Sequence, residues 1–233
     1  MSKFTEAKVS GRQPIVAIDG PTGAGKSTVA RELARELGFT YLNTGAMYRA
    51  VALAAGRGGI DPDAPDAAAR LEPLLDSITL RLEQDRVLLN GEDVAAHLSD
   101  PVVGDRASRL SAMAIVRVYM RELQQTAGSK GAIVMEGRDI GTVIFPDAEF
   151  KFFLNADLRT RAERRYKELI QKGVSTTLDE VCAQLEARDR RDQERELAPL
   201  KPADDAIVID STNDSVAEVV ARLKACVLAG GDA

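Results

Sequence analysis

The chain has 233 residues, of which 45% are hydrophobic and 29% are charged, as expected for a globular protein of one domain or of one domain with an insertion. The net charge of −5 and the low aromatic content of 4% argue against nucleic acid as a partner. The lack of any long apolar run argues against a membrane as a partner. The single histidine excludes a multi-histidine metal site, and two isolated cysteines are typical of reduced thiols in a cytoplasmic protein.

Short apolar segments alternate with segments of helical periodicity along most of the chain. The predicted strands are 14–19, 39–42, 132–135, 150–154 and 206–209, and the first two predicted helices are 26–37 and about 45–56. Apolar strands that alternate with helices are typical of a parallel sheet covered on both faces, so the predicted fold class is α/β. We expect one domain over 13–228, with a disordered tail at 1–12 and a short tail at 229–233.

Two regions depart from this alternation. Segments 78–84 and 86–94 alternate in polarity, which predicts antiparallel strands in an insert at about 71–104. The heavily charged segment 157–196 predicts two helices separated near 173–177.

The segment 20–27 reads GPTGAGKS and matches the P-loop pattern G-x-x-x-x-G-K-[ST] between a predicted strand and a predicted helix. Glycines let backbone N–H groups surround a phosphate, Lys26 would contact the terminal phosphates, and the Ser27 hydroxyl would bind Mg²⁺. A glycine-rich turn with an exposed lysine is the structural alternative, but it does not account for the flanking strand and helix. The predicted nucleoside triphosphate contacts are Gly20, Pro21, Thr22, Gly23, Ala24, Gly25, Lys26, Ser27 and Thr28.

The class of P-loop protein depends on other motifs. The guanine-reading sequence of switch GTPases, Asn/Thr-Lys-x-Asp after a strand, is not found, since the nearest candidate, 155–157, lacks the lysine. Four segments in succession, 20–28, 43–49 (NTGAMYR), 136–143 (EGRDIGTV) and 188–195 (RDRRDQER), resemble the bacterial cytidylate kinase family, and the match covers nearly the whole chain.

The resemblance implies a three-layer P-loop fold with a small β-containing monophosphate-binding insert and a helical lid at about 157–176. It implies that the γ-phosphoryl group of ATP is transferred to CMP or dCMP, giving CDP or dCDP plus ADP, with Mg²⁺ as the cofactor. We expect a monomer, because one catalytic cleft needs no partner subunit. A kinase of UMP, AMP or shikimate, and a nucleotide switch without catalysis, are the alternatives.

The resemblance also implies roles for individual residues. Thr44 would contact the base, Arg49 the monophosphate, Arg138 the acceptor phosphate and Asp139 the cytosine amino group. The CMP contacts that it implies are Thr44, Tyr48, Arg49, Ser108, Arg117, Arg138, Asp139, Arg188, Asp192 and Arg195. The catalytic residues that it implies are Lys26, Arg138 and Arg195, together with Arg161 and Arg165 of the lid.

Several of these residues also have a purely structural interpretation. Thr44 stands where a helix N-cap is expected. Arg188, Asp192 and Arg195 have the spacing of one helix face, where salt bridges are common and individually weak. Arg161, Arg164 and Arg165 would likewise share a helix face.

Glu136 ends a predicted strand at a Walker-B-like position, where family members often carry Asp. Its carboxylate would either reach Mg²⁺ through water or orient Arg138, and the sequence leaves both open.

Overall fold

The computed structural model describes residues 13–83 and 86–230. The predicted tail at 1–12 and the last three residues of the tail at 229–233 therefore lie outside the described residues. The described residues form two compact units. The first extends to Tyr41 and also includes Ala127–Glu194 and the chain from Ala198 onwards, and the second comprises Leu42–Thr126 and Arg195–Leu197.

Strands and helices alternate along the described chain as the sequence predicts. The strands are β1 (Ile15–Asp19), β2 (Thr40–Asn43), β3 (Leu80–Glu83), β4 (Arg86–Leu89), β5 (Glu92–Asp93), β6 (Ile133–Glu136), β7 (Phe150–Asn155) and β8 (Ile207–Asp210). The α-helices are α1 (Lys26–Leu37), α2 (Thr44–Arg57), α3 (Ala67–Ser77), α4 (Pro101–Leu110), α5 (Ala114–Gly128), α6 (Leu158–Gln171), α7 (Leu178–Glu194) and α8 (Val216–Leu228).

The main sheet has the strand order β2-β6-β1-β7-β8. The central strand β1 is fully buried and runs parallel to β6, with Ile15 opposite Ile133, and to β7, with Ala17 opposite Lys151. β8 runs parallel to β7. The α/β class and the parallel sheet are therefore confirmed, and the loops that follow β1 and β6 leave the same edge of the sheet.

Helix α1 packs on this sheet through an apolar face. Val29, Ala30 and Leu33 are almost completely buried, at the spacing that one helix face requires. Gly38 ends the helix in the left-handed conformation, with φ 70°, and its amide donates to carbonyl groups of the last turn. The sequence predicts both ends of this helix correctly.

The second unit contains an antiparallel sheet of order β3-β4-β5, as the alternating polarity predicts. The segment 86–94 holds two of these strands, because Asn90 and Gly91 adopt positive φ angles and turn the chain between β4 and β5. The prediction of Thr44 as an N-cap is wrong. Asn43 caps α2, its side chain accepting from the Ala46 amide, and Thr44 is the first helical residue.

The charged segment forms α6 and α7, separated at 172–177 as predicted. The two helices pack through a small apolar cluster that includes Ala162, Leu169, Val181 and Leu185. Helix α7 ends at Glu194, so the prediction that Arg195 shares a helix face with Arg188 and Asp192 is wrong.

Among the described residues, no helix is long and apolar enough to span a membrane.

Candidate active site

The P-loop follows β1 directly, and its first glycine is required by both space and backbone conformation. Gly20 has φ 144°, and a Cβ atom at this position would lie 2.0 Å from the carbonyl oxygen of Leu154 in β7. Gly25 precedes α1 with φ 89°. These glycines let the loop turn at the N-terminus of α1, where backbone N–H groups and the helix dipole favour an anion.

Lys26 begins α1 and is buried, with 6% of its surface exposed. Its Nζ donates to the carbonyl oxygen of Pro21 at 2.7 Å, across the P-loop. Burial holds the pKa of Lys26 well below its usual value, and the neighbouring positive charge of Arg138 acts in the same direction. A phosphate would counter both effects, because its negative charge favours the ionised ammonium group.

Ser27 and Glu136 form the second feature of the P-loop. Ser27 Oγ donates to Glu136 Oε2 at 3.0 Å, and the Tyr41 hydroxyl donates to Oε1 at 2.5 Å. Burial is the main cause that raises the pKa of Tyr41, which therefore stays a neutral donor at neutral pH. The carboxylate at the end of β6 is thus hydrogen-bonded to the P-loop serine. Sequence reasoning missed Tyr41, which stands in a predicted strand without a motif of its own.

Arg138 connects the EGRD segment to the P-loop and to α7. Its Nη2 donates to Thr22 Oγ1 at 2.6 Å, and its Nε lies 3.1 Å from Asp192 Oδ2. Arg188 lies 4.0 Å from the same carboxylate oxygen. Three residues that the resemblance assigns to the acceptor therefore lie together in the first unit.

Arg161 of α6 is buried beside the P-loop. Its Nε donates to the Ala156 carbonyl at 2.9 Å, and its Nη1 to the Thr22 carbonyl at 3.1 Å and to Asp189 Oδ2 at 2.6 Å. Burial raises the pKa of Asp189, although its ion pair with Arg161 opposes the rise. Asp189 is a further residue that sequence reasoning missed, because one more acid in a charged helix gives no distinctive pattern.

The other two arginines of the predicted lid have different partners. Arg164 Nη2 donates to the Ser211 carbonyl at 2.6 Å, after β8, whereas Arg165 forms an ion pair with Glu168 one turn along α6. Helical spacing therefore places the three arginines near one another, but each has its own role in the packing of α6.

Asp19 holds the segment that follows Arg138. Its carboxylate, 5% exposed, accepts from the amides of Ile140 at 2.9 Å and Gly141 at 2.8 Å. Burial raises the pKa of Asp19 to about 6, against the lowering effect of these two hydrogen bonds. Asp139, itself buried, precedes a short π-helical turn at Ile140–Ile144. The sequence signal that could have identified Asp19 is its position as a charged residue at the end of a buried apolar strand.

In the second unit, Arg195 and Arg117 both contact Ser111. Arg195 Nη1 lies 3.2 Å from Ser111 Oγ, and Arg117 Nη1 donates to the Ser111 carbonyl at 3.2 Å. Ser108 is buried, and its hydroxyl has no hydrogen-bond partner among the residues that the structure describes. A buried hydroxyl of this kind is available to a polar ligand. Sequence reasoning did not single out Ser111.

Comparison with known proteins gives a consistent result. A family model described as cytidylate kinase matches residues 16–228. The chain belongs to the cytidylate kinase family. A cytidylate kinase of Geobacter sp. (strain M21) is 48% identical over 94% of this chain and 95% of the relative, and one from Pasteurella multocida is 43% identical over 89% and 92%. The solved structure of shikimate kinase from Acinetobacter baumannii covers 96% of this chain and 97% of its own, at 18% identity and a TM-score of 0.45.

The structure of this cytidylate kinase family member divides the predicted site residues between its two units. The first unit holds the P-loop, Arg138, Asp139, Arg161, Arg165, Arg188 and Asp192. The second holds Thr44, Tyr48, Arg49, Ser108, Arg117 and Arg195. Among the described residues, no group of three or more histidines, cysteines or acids could hold a metal ion.

Proposed function

We propose that this chain transfers the γ-phosphoryl group of ATP to the 5′-phosphate of CMP or dCMP, yielding ADP and CDP or dCDP. The observation that carries the proposal is the contact between Arg138 and Thr22, which joins the EGRD segment to the P-loop at 2.6 Å. A donor loop and an acceptor arginine in direct contact are what transfer between two phosphates requires. Membership of the cytidylate kinase family over residues 16–228 supports the identity of the acceptor.

Catalysis of such a transfer depends on positioning and on charge neutralisation, since a phosphate acceptor needs no strong general base. Lys26 and Arg138 supply two cations in the same part of the first unit, and the pKa of Lys26 is lowered partly by Arg138. Both would neutralise negative charge that builds up between the nucleotides. We assign the same task to Arg161, Arg165 and Arg195.

Mg²⁺ is the proposed cofactor, and Ser27 and Glu136 are the residues that would hold it. A hydroxyl and a carboxylate oxygen 3.0 Å apart are hard oxygen donors of the type that this ion prefers. When bound with ATP, the ion neutralises phosphate charge. In this arrangement Glu136 acts through Ser27.

The choice of base is assigned to Asp139. A carboxylate accepts a hydrogen bond from the N4 amino group of cytosine, whereas it repels the O4 carbonyl of uracil. A buried site that depends on such a hydrogen bond can discriminate strongly against a substrate that lacks the donor. Asp139 is 6% exposed, which removes competition from water.

The remaining assignments follow the family resemblance. We assign the ribose to Arg188 and Asp192, and the rest of CMP recognition to Thr44, Tyr48, Arg49, Ser108, Arg117 and Arg195. We also propose that the segment at about 157–176 acts as a lid, that the insert at about 71–104 serves the acceptor, and that the enzyme is a cytoplasmic monomer. The two free cysteines, which are not paired with each other, support a reducing compartment.

The test is the release of ADP from Mg·ATP in the presence of CMP, dCMP, UMP, AMP, GMP or dTMP, with ATP alone as the baseline. We expect CMP and dCMP to stimulate release strongly, with UMP far behind. Equal stimulation by every acceptor, or by none, would contradict the proposal.

Asp139→Asn tests the base assignment in the same assay. The amide can donate to uracil O4, so the ratio of kcat/KM for CMP to that for UMP should fall by roughly tenfold or more. Asp214→Asn is the matched control, because this acid forms only a surface ion pair with Arg222. An unchanged ratio in Asp139→Asn would remove Asp139 from base recognition.

A further inference from the structure

The carboxylate of Asp19 links the donor loop to the segment that contains Asp139. Asp19 is the last residue of the central strand β1, and the next residue, Gly20, begins the P-loop. Its two oxygen atoms accept from two consecutive amides, those of Ile140 at 2.9 Å and Gly141 at 2.8 Å. A rigid strand therefore holds the backbone immediately after Asp139 at two points.

Other contacts of the segment depend on the same turn. The carbonyl of Asp139 accepts from the amides of Val143 at 2.9 Å and Ile144 at 3.2 Å, which closes the π-helical turn. The turn packs closely as well, since a Cβ atom on Gly141 would lie 3.2 Å from the side chain of Lys151. The backbone after Asp139 is therefore held by hydrogen bonds and by close packing. Asp19 accepts the hydrogen bonds from Ile140 and Gly141.

An ionised carboxylate at position 19 is energetically costly, because the side chain is buried. Desolvation and the nearby negative charge of Asp139 both disfavour the ionised form, and burial is the larger effect. The two amides donate to different oxygen atoms, and among side chains of this size only a carboxylate supplies two acceptor oxygens. An Asn would present an NH₂ group to one of the two amides and leave it without an acceptor.

We propose that Asp19 is a positioning residue for acceptor selection: by holding the amides of Ile140 and Gly141, it fixes Asp139 relative to the P-loop. This inference rests on the proposed function, in which Asp139 reads the cytosine amino group. A residue that only stabilised the fold would affect ATP and CMP alike, whereas Asp19 acts on the segment that carries the acceptor residues.

The test compares wild-type enzyme with Asp19→Asn, which keeps the shape of the side chain and removes one acceptor. The readouts are KM for CMP, KM for ATP, kcat and the CMP-to-UMP ratio of kcat/KM. Glu149→Gln is the matched control: Glu149 accepts from the Ile15 amide at 2.8 Å, so the same chemical change is made at the opposite end of β1. Stability to urea is measured for each protein.

In Asp19→Asn we expect KM for CMP to rise roughly tenfold or more and the CMP-to-UMP ratio to fall, with KM for ATP within about twofold of wild type. Glu149→Gln should show neither change. Asp19→Glu retains two acceptor oxygens and should recover part of the lost CMP-to-UMP discrimination.

An equal rise in KM for both substrates, or an unchanged CMP-to-UMP ratio, would overturn the inference. If neither variant at position 19 folds, the carboxylate is required by the fold and not by acceptor selection, which also overturns it. Failure of the proposed function is distinguishable, because it would appear as a lack of CMP-dependent ADP release in the wild-type enzyme.

Discussion

Two ion pairs in the first unit join side chains from different elements. Arg161 of α6 pairs with Asp189 of α7, and Arg138 of the EGRD segment pairs with Asp192 of α7. Removing one member of such a pair costs more than the pair itself contributes to stability, because the other charge is then buried without a partner. These residues therefore affect both stability and the proposed function. The unfolding free energy and the turnover must both be measured for every variant.

Arg161→Lys tests the buried arginine of α6. Lys cannot reproduce the fork that reaches Ala156, Thr22 and Asp189, so the free energy of unfolding should fall by about 2–4 kcal/mol and turnover should fall with it. The measurement is urea unfolding alongside the CMP-dependent assay.

Arg165→Lys is the comparison on the same helix. Arg165 pairs with Glu168, whose side chain is 58% exposed, so its unfolding free energy should change by less than about 0.5 kcal/mol. As a proposed catalytic residue, Arg165 should still affect turnover. Equal destabilisation by the two variants would contradict this account of α6.

At the level of elements, β1 and the P-loop depend on close approach of two backbones. Gly20→Ala would place a Cβ atom 2.0 Å from the carbonyl oxygen of Leu154, so β7 would have to move. We expect a loss of more than about 3 kcal/mol of unfolding free energy, or failure to fold, measured by urea unfolding.

Gly38→Ala is the control for backbone conformation alone. Gly38 has φ 70°, and nothing lies within 4 Å of an added Cβ atom, so only the left-handed conformation is penalised, at about 1–2 kcal/mol. If both variants lost the same stability, the contact between Gly20 and β7 would not be the cause.

The elements that the sequence predicts best are those with a strong local pattern. The bounds of α1 follow from apolar spacing and Gly38, and the α/β class follows from the apolar strands. The N-cap of α2 was assigned wrongly because a neighbouring residue competes for it: Asn43, and not Thr44, caps the helix.

The candidate site was predictable only in part, for a physical reason. The P-loop is a local motif, so its residues can be assigned from spacing alone. Tyr41, Asp189 and Asp19 act through partners 95, 28 and 121 positions away in the chain, on Glu136, Arg161 and Ile140. No local pattern marks such a partner, because the folded sheet brings the two residues together.

At the scale of the whole molecule, the proposed donor and acceptor residues are distributed unequally between the two units. The entire P-loop lies in the first unit, with Arg161 and Glu136, whereas Thr44, Arg49 and Ser108 lie in the second. A ligand stabilises the residues that it contacts in the folded state, and the effect grows with its concentration relative to Kd. Each nucleotide should therefore leave its own pattern of protection.

Amide hydrogen exchange measures that pattern. With Mg²⁺ and a non-hydrolysable ATP analogue at about 100 times its Kd, exchange in 20–28 and at the start of α1 should slow by roughly 100-fold. The sheet of β3 and β4 should be unaffected, because the proposed donor contacts lie outside it. CMP alone should instead slow exchange at the start of α2, in α4 and at 138–141. If the ATP analogue protected β3 and β4 as strongly as the P-loop, the assignment of donor contacts to the first unit would be wrong. If CMP protected only the P-loop, the acceptor assignments in both units would be wrong.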